Sequence, residues 1–165
     1  EKICLIGKNG AGKTTLLRKI AEELCSRTDI HAAYMPQNYG DNMDFAATPI
    51  EYLTPTLDGS REAYSRICTF LGSVKFTADE MQHPIGALSG GQKAKLYFMH
   101  MILSGADTLI LDEPTRNFSP LSQPVVREVL STFGGTIIAV SHDRKCIDEV
   151  FDTVYALTPD GLYEV

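Results

Sequence analysis

The sequence predicts an α/β fold in which a mainly parallel sheet is flanked by helices. Three observations support this prediction. Short apolar runs alternate along the chain with segments of helical periodicity, which is the pattern of strands joined by crossover helices. Two of the runs, at 108–112 and 136–141, have a continuous apolar interior, as strands buried on both faces of a parallel sheet usually do. The first run, at 2–6, leads directly into a glycine-rich loop and a helical pattern.

The remaining elements follow from the same signals. After the strand at 2–6, the segment 14–24 spaces its leucines at helical intervals, and a second strand is expected at 30–35. The other helical patterns lie between and after the two buried runs, at 92–103, 120–132 and 143–150. The chain ends on "DTVYAL" and "LYEV", separated by a Pro-Asp-Gly turn, which predicts a terminal hairpin.

The stretch from 49 to 88 differs from the rest because its patterns are helical and no buried-strand run interrupts them. We therefore expect one domain with two parts. A core would consist of residues 1–40 and 89–165, and a small helical subdomain would occupy about 41–88.

The composition excludes several classes of protein. The 165 residues are 44% hydrophobic and 22% charged, which is the balance of an ordinary globular domain, and no apolar stretch is long enough to cross a bilayer. A net charge of −6 gives no basic footprint for nucleic acid, so any contact with RNA or DNA would need a local patch or another domain. The four cysteines lie far apart without a Cys-x-x-Cys pair, which disfavours a zinc module and indicates reduced thiols: Cys4, Cys25, Cys68 and Cys146. We expect a cytoplasmic location.

The segment "GKNGAGKT" fits the phosphate-binding pattern G-x-x-x-x-G-K-[ST]. Backbone N–H groups of such a loop wrap phosphates, and the following helix directs the positive end of its dipole at them. Lys13 would reach the outer phosphates and Thr14 would bind Mg²⁺. The alternative is a glycine-rich turn between a strand and a helix. The predicted nucleotide contacts are Gly7, Asn9, Gly10, Ala11, Gly12, Lys13, Thr14 and Thr15.

Two carboxylates lie where the buried run at 108–112 ends, since Asp112 closes the run and Glu113 follows it. The carboxyl edge of an open α/β sheet is where ligands bind, so both would lie beside the phosphate loop. Asp112 suits a magnesium ligand, and Glu113 could polarise a water molecule toward the γ-phosphate. The alternative is an Asp-Glu-Pro turn that merely ends a strand.

His142 and Gln37 each follow a predicted strand and would reach the same edge. An imidazole there can hydrogen-bond a γ-phosphate oxygen, and the amide of Gln37 can reach the metal or the attacking water. The alternatives are a packed or solvated histidine and a polar loop residue.

The pentapeptide "LSGGQ" opens a predicted helix. Ser89 is well placed as its N-cap, and the two glycines leave backbone N–H groups open to an anion. Either the helix is simply well capped, or the segment binds a nucleotide that another copy holds. Four residues would form this second site: Ser89, Gly90, Gly91 and Gln92.

Taken in order, these motifs resemble the ATP-binding cassette (ABC) superfamily of phosphate-loop (P-loop) ATPases. The resemblance rests on "GKNGAGKTT", the glutamine of "MPQ", "LSGGQ", "LILDEPT" and "VSHD", and it covers nearly the whole chain. It implies that ATP and Mg²⁺ are the ligands, with metal contacts from Thr14, Gln37 and Asp112. It also implies that Glu113 is the general base, that His142 senses the γ-phosphate, and that Gln37 belongs to the catalytic set. A second cassette would be the partner in a head-to-tail sandwich.

Within the superfamily the chain looks most like the F class, whose members are twin-cassette proteins associated with the ribosome and, in some cases, with antibiotic resistance. The stretches "TPIEYL" and "SHDRKCIDEV" support this. The alternative is the ATPase subunit of a membrane transporter, which would have a membrane subunit as its partner.

The sequence departs from the family pattern in three respects. The aromatic residue that usually stacks on adenine, and the antiparallel strands that carry it, are missing upstream of residue 1. We therefore expect a fragment that is most like a second cassette and is a weak ATPase alone. The F-class interdomain arm is also missing. Third, "RNFS" at 116–119 replaces the usual Asn-His-Leu-Asp. Ser119 and Pro120 predict the start of a helix, and Arg116 adds a positive charge near the nucleotides.

Overall fold

The computed structural model describes residues 1–116 and 118–165, apart from the side chain of Asp41. Asn117, part of the predicted "RNFS" departure, lies outside the described residues. Six strands are found in this part of the chain: β1 (Lys2–Ile6), β2 (Ala32–Met35), β3 (Thr108–Asp112), β4 (Thr136–Val140), β5 (Thr153–Thr158) and β6 (Gly161–Glu164). Its α-helices are α1 (Lys13–Ser26), α2 (Pro49–Leu53), α3 (Arg61–Ser73), α4 (Ala78–Gln82), α5 (Gly90–Leu103), α6 (Gln123–Thr132) and α7 (Arg144–Val150).

The strands form one sheet in the order β2-β3-β4-β1-β5-β6. All neighbouring pairs are parallel except β5 and β6, which form the antiparallel hairpin predicted at the end of the chain. In the register of the sheet, Asp112 at the end of β3 pairs with Val140 at the end of β4. The loops that follow β1, β2, β3 and β4 therefore leave the sheet along one edge, which confirms the expected placement of the acidic pair.

Helices cover both faces of the sheet. On one face, Leu17 and Ala21 of α1 pack with Ile110 and Val140. On the other, α5 and α6 supply Phe98 and Leu130 to a larger core. Every residue of β3 is buried, because this strand lies inside the sheet and is covered on both sides.

The helices α2, α3 and α4 follow one another without an intervening strand, as the sequence predicts. Each begins at a hydroxyl N-cap, and Thr48 and Thr77 form complete capping boxes with Glu51 and Glu80. The three helices lie within residues 41–88. Whether this segment is a separate subdomain stays a prediction. In the described part of the chain, no helix combines the length and the apolar character that a membrane crossing requires.

The predicted start of α6 at Ser119 and Pro120 is wrong. The helix begins at Gln123, and Pro124 lies within its first two positions. The main-chain oxygen of Ser119 accepts from the N–H groups of Ser122 and Gln123 at 2.8 and 3.1 Å, so a tight turn precedes the helix. The hydroxyl of Ser119 lies 3.0 Å from that of Ser122 and caps no helical N–H. A serine followed closely by a proline occurs twice in this stretch, as Ser119-Pro120 and as Ser122-Gln123-Pro124. The helix starts at the later of the two.

Candidate functional site

A cavity of about 350 Å³ opens at the edge of the sheet where β1, β3 and β4 end. It brings together most of the residues that the sequence predicts for one nucleotide site, and it adds Val140 and Arg116. The lining residues are Asn9, Gly10, Gly12, Lys13, Thr14, Thr15, Gln37, Asp112, Glu113, Arg116, Val140 and His142. Two predicted contacts, Gly7 and Ala11, lie in the same loop but are not among the lining residues.

The loop between β1 and α1 has the backbone that the glycine pattern predicts. Gly12 is the N-cap of α1 with φ +91°, a conformation that a residue with a side chain rarely adopts. Because glycine has no side chain, it cannot cap the helix. The N–H groups of the first turn of α1 are thus left for an anion in the cavity, where the helix dipole also favours negative charge.

Lys13 is the first residue of α1 and is 7% exposed. Its ammonium group donates to the main-chain oxygens of Gly7 at 2.8 Å and Lys8 at 3.0 Å, so the side chain folds back along the loop. These two carbonyls account for two of the three ammonium hydrogens. An ammonium group has three hydrogens, so one more can be donated to a phosphate oxygen.

Thr14 and Asp112 meet at the base of the cavity. The Thr14 hydroxyl donates to Oδ1 of Asp112 at 3.4 Å, and Asp112 is 2% exposed at the end of β3. Hydroxyl and carboxylate oxygens are the hard ligands that Mg²⁺ prefers, and protein sites for this ion commonly use one or two carboxylates together with substrate phosphates. The described residues contain no cluster of three or more His, Cys, Asp or Glu side chains that could hold a metal alone. The donor set therefore fits Mg²⁺ that arrives with a nucleotide.

Glu113 occupies a strained position immediately after β3. Its φ is +53°, which is uncommon for a residue other than glycine, and its N–H donates to the main-chain oxygen of Val140 at 2.9 Å. The turn directs the carboxylate toward His142, whose main-chain N–H donates to Oε2 at 3.2 Å. Nε2 of His142 lies 3.4 Å from Oε1.

Burial raises the pKa of the Glu113 carboxyl, and the side chain is only 11% exposed. The charge of His142 and its N–H hydrogen bond lower the pKa, as does the charge of Arg116, while Asp112 raises it. A carboxylate with a raised pKa is a stronger base than an ordinary one, which suits the abstraction of a proton from water.

Gln37 lies in the loop after β2 and contacts Arg116. When its amide oxygen faces Arg116, that oxygen accepts hydrogen bonds from Nη1 and, at 3.1 Å, from Nε of the guanidinium group. In the opposite orientation the amide nitrogen of Gln37 would face the N–H groups of the guanidinium, so that donors would meet donors. The orientation with the oxygen toward Arg116 is therefore favoured. The sequence predicts a positive charge here, but it gives no sign of the contact with Gln37.

The "LSGGQ" segment lies apart from the cavity; within the described residues, none of its four predicted contacts lines the cavity wall. Ser89 caps α5 as predicted, since its hydroxyl accepts from the N–H of Gln92 at 3.2 Å. Gly91 is buried against Ser122 in the turn before α6. The amide nitrogen of Gln92 donates to Glu80 of α4 at 3.2 Å, which ties the start of α5 to the helical segment.

The segments after β2 and β3 contribute to an aromatic cluster that the sequence did not predict. Tyr39, Tyr97 and Phe118 pack together, with Tyr39 5.0 Å from Tyr97 and 5.6 Å from Phe118 between ring centroids. Phe118 is 5% exposed. The signal for it in the sequence is Phe118 itself, a large aromatic residue in a mostly polar loop.

Comparisons with known proteins identify the family of the chain. The sequence profile of the family described as ABC transporter matches residues 1–116. ABC transporter F family member 2 of Arabidopsis thaliana is 32% identical to the chain in a match that covers 99% of the chain and 25% of the plant protein. Ribosome protection protein VmlR of Bacillus subtilis is 32% identical, and the match covers 98% of the chain and 30% of that protein. The chain thus spans less than a third of the length of these relatives.

Among solved structures, one is an ATP-binding cassette in a dimeric, post-hydrolysis state bound to ADP and Pi. It matches the chain with a TM-score of 0.73 at 18% sequence identity, over 96% of this chain and 81% of the other. At this identity the likeness concerns the fold, and it confirms the predicted α/β class with a mainly parallel sheet.

Proposed function

The chain belongs to the ABC transporter family, and we propose that it is an ATP-binding cassette that binds ATP with Mg²⁺ and hydrolyses it in partnership with a second cassette. Cassettes of this family are ATPases. The observation that carries the proposal is the meeting of Lys13, Asp112 and Glu113 in one cavity at the edge of the sheet.

In the proposed reaction the phosphate loop and Lys13 hold the phosphate chain. Thr14, Asp112 and Gln37 would hold Mg²⁺, which when bound neutralises charge on the phosphates. Glu113 accepts a proton from the attacking water, and its raised pKa suits that task. His142 keeps the Glu113 carboxylate in place through its main-chain N–H and presents its imidazole to the outermost phosphate.

A second cassette would complete the site. Ser89, Gly90, Gly91 and Gln92 lie away from the cavity, which supports a role toward a nucleotide held by another cassette. One structural relative is described as a dimeric ATP-binding cassette bound to ADP and Pi, which supports pairing of cassettes. We also propose that residues 41–88 form the helical subdomain and that Gln92 connects α5 to it through Glu80.

The parent protein is proposed to be an F-class member that acts on the ribosome in the cytoplasm. ABC transporter F family member 2 of Arabidopsis thaliana and the ribosome protection protein VmlR support this, since the matches to them cover almost the whole chain. The alternative from the sequence is the ATPase subunit of a membrane transporter, and the shared fold supports it. Sedimentation of the full-length protein with ribosomes separates the two readings, because a transporter subunit would stay in the supernatant with or without ATP.

Steady-state hydrolysis tests the catalytic proposal. Turnover per molecule of this chain should be low at dilution and should rise with protein concentration or on addition of the partner cassette. The Lys13→Ala variant should lose nucleotide binding at this site. A turnover that is independent of concentration and matches that of ordinary enzymes, about 10 per second, would contradict the need for a second cassette.

A further inference from the structure

We propose that Arg116 is a second cationic contact for the outermost phosphate of the nucleotide and that Gln37 holds it until the nucleotide and its metal ion arrive. This inference rests on the proposed function, since it concerns the same cavity. It adds a residue at which this chain departs from the family pattern.

The position of Arg116 is fixed close to the reacting groups. Its main-chain N–H donates to the oxygen of Glu113 at 3.1 Å, so the turn that carries the proposed base also carries the arginine. Its side chain lines the same cavity as Lys13 and His142. The residue is exposed, so its guanidinium is free to swing between partners without a cost in core packing.

Gln37 supplies the reason for a change of partner. Its side-chain oxygen accepts from the Arg116 guanidinium, and that same oxygen is the atom with which Gln37 would bind Mg²⁺. A divalent cation and a guanidinium repel each other strongly when they share one oxygen, because charges a few ångströms apart interact strongly in a partly buried site. Arrival of the metal therefore displaces Arg116 from Gln37.

The cavity offers the displaced guanidinium a better partner. Asp112 and Glu113 contribute two negative charges, which Lys13 and Arg116 match before any ligand enters. ATP brings several more negative charges than the metal ion neutralises. The planar fork of arginine matches phosphate oxygens in a bidentate geometry that lysine cannot reproduce.

Nucleotide affinities test the proposal. In the full-length protein, Arg116→Asn should weaken Mg-ATP binding by about tenfold to a hundredfold, the usual effect of losing a hydrogen bond to a charged group. ADP lacks the outermost phosphate, so its affinity should change less than about threefold. Arg116→Lys should fall between the two, because it keeps the charge and loses the fork. Equilibrium binding of each nucleotide is the readout, and a Lys13→Ala background identifies binding at any other site.

The role of Gln37 has its own readout. With EDTA in place of Mg²⁺, Gln37 keeps the guanidinium, so wild type and Arg116→Asn should bind ATP with affinities within about threefold of each other. Arg61→Asn is the matched control, since Arg61 is exposed at the start of α3, away from the cavity. It should leave every affinity unchanged.

The outcomes separate this inference from the proposed function. If the wild type fails to bind ATP, the proposed function is lost. Suppose that the wild type binds ATP. If Arg116→Asn then weakens the binding of ATP and of ADP equally, or changes neither affinity, the contact to the outermost phosphate is refuted. An equal loss with and without Mg²⁺ would refute the holding role of Gln37.

Discussion

Ser122 occupies the space into which a side chain on Gly91 would project: a Cβ at the glycine would lie 2.5 Å from the serine hydroxyl and 2.8 Å from its Cβ. The second glycine of "LSGGQ" is thus required for close packing of α5 on the turn before α6, whatever else it contacts. Gly91→Ala should destabilise the fold by about 1–3 kcal/mol, the usual effect of overpacking. Thermal or denaturant unfolding measures this loss.

The Ser122→Gly variant provides the control for that packing. It removes both atoms that a side chain at Gly91 would meet. Combined with Gly91→Ala, it should restore most of the lost stability, so the two changes should be strongly non-additive. Simple additivity of the two effects would show that Gly91→Ala acts through something other than Ser122.

The Glu113→Gln variant should separate binding from hydrolysis. The amide keeps the shape of the side chain and can still accept from the His142 N–H, but it cannot take a proton from water. We expect ATP binding to persist while turnover falls by about 10²- to 10⁴-fold. Glu128→Gln, on the exposed face of α6, is the matched control and should be fully active. Turnover at the wild-type rate would remove Glu113 from the catalytic set.

The pH dependence of turnover should report the Glu113–His142 contact. Glu113 serves as a base only when ionised, so kcat should rise with pH through its raised pKa. The charge of His142 lowers that pKa. His142→Ala should therefore raise it further and move the acidic limb of the profile to higher pH. His31→Ala, at an exposed histidine away from the cavity, should leave the limb in place.

Ser119→Asp should test whether "RNFS" alters communication between two sites. The hydroxyl of Ser119 meets Ser122 and caps no N–H of α6, so a capping role no longer accounts for this residue. We expect folding and single-site ATP binding to stay nearly unchanged in the full-length protein while the Hill coefficient for ATP shifts. Ser119→Asn has nearly the same shape without the charge and is the matched control. Equal Hill coefficients for the wild type, Ser119→Asp and Ser119→Asn would show that the "RNFS" segment has no role in communication between the two sites.

The fold class and the acidic edge of the site could be predicted because their signals are local. A run with a continuous apolar interior, such as 108–112, fits an inner parallel strand, and Asp112, which ends it, must lie at the edge of the sheet. The start of α6 could not be fixed, because Ser119-Pro120 and the later Ser122-Gln123-Pro124 carry similar helix-start chemistry. The choice between them depends on tertiary packing.

Contacts between residues far apart in the sequence were beyond prediction. The hydrogen bond from Arg116 to Gln37 and the packing of Ser122 on Gly91 depend on how the loops after β2 and β3 meet. Neither the hydrophobic periodicity of a segment nor its local conformational propensity indicates which loops will contact each other. The burial of Phe118 was missed for the same reason, since one apolar residue in a loop has no periodicity.

The packing of Tyr39 against Tyr97 affects how the intrinsic fluorescence of the chain can be used. The sequence contains seven tyrosines and no tryptophan, so its intrinsic near-ultraviolet emission comes from phenol rings alone. Tyr39 follows Gln37 by two residues, and its ring centroid lies 5.0 Å from that of Tyr97 on α5. A displacement of the glutamine loop would change the separation of these two fluorophores. The emission of the unlabelled chain can therefore report loop movement, and Phe118→Trp would place a single indole emitter next to Tyr39.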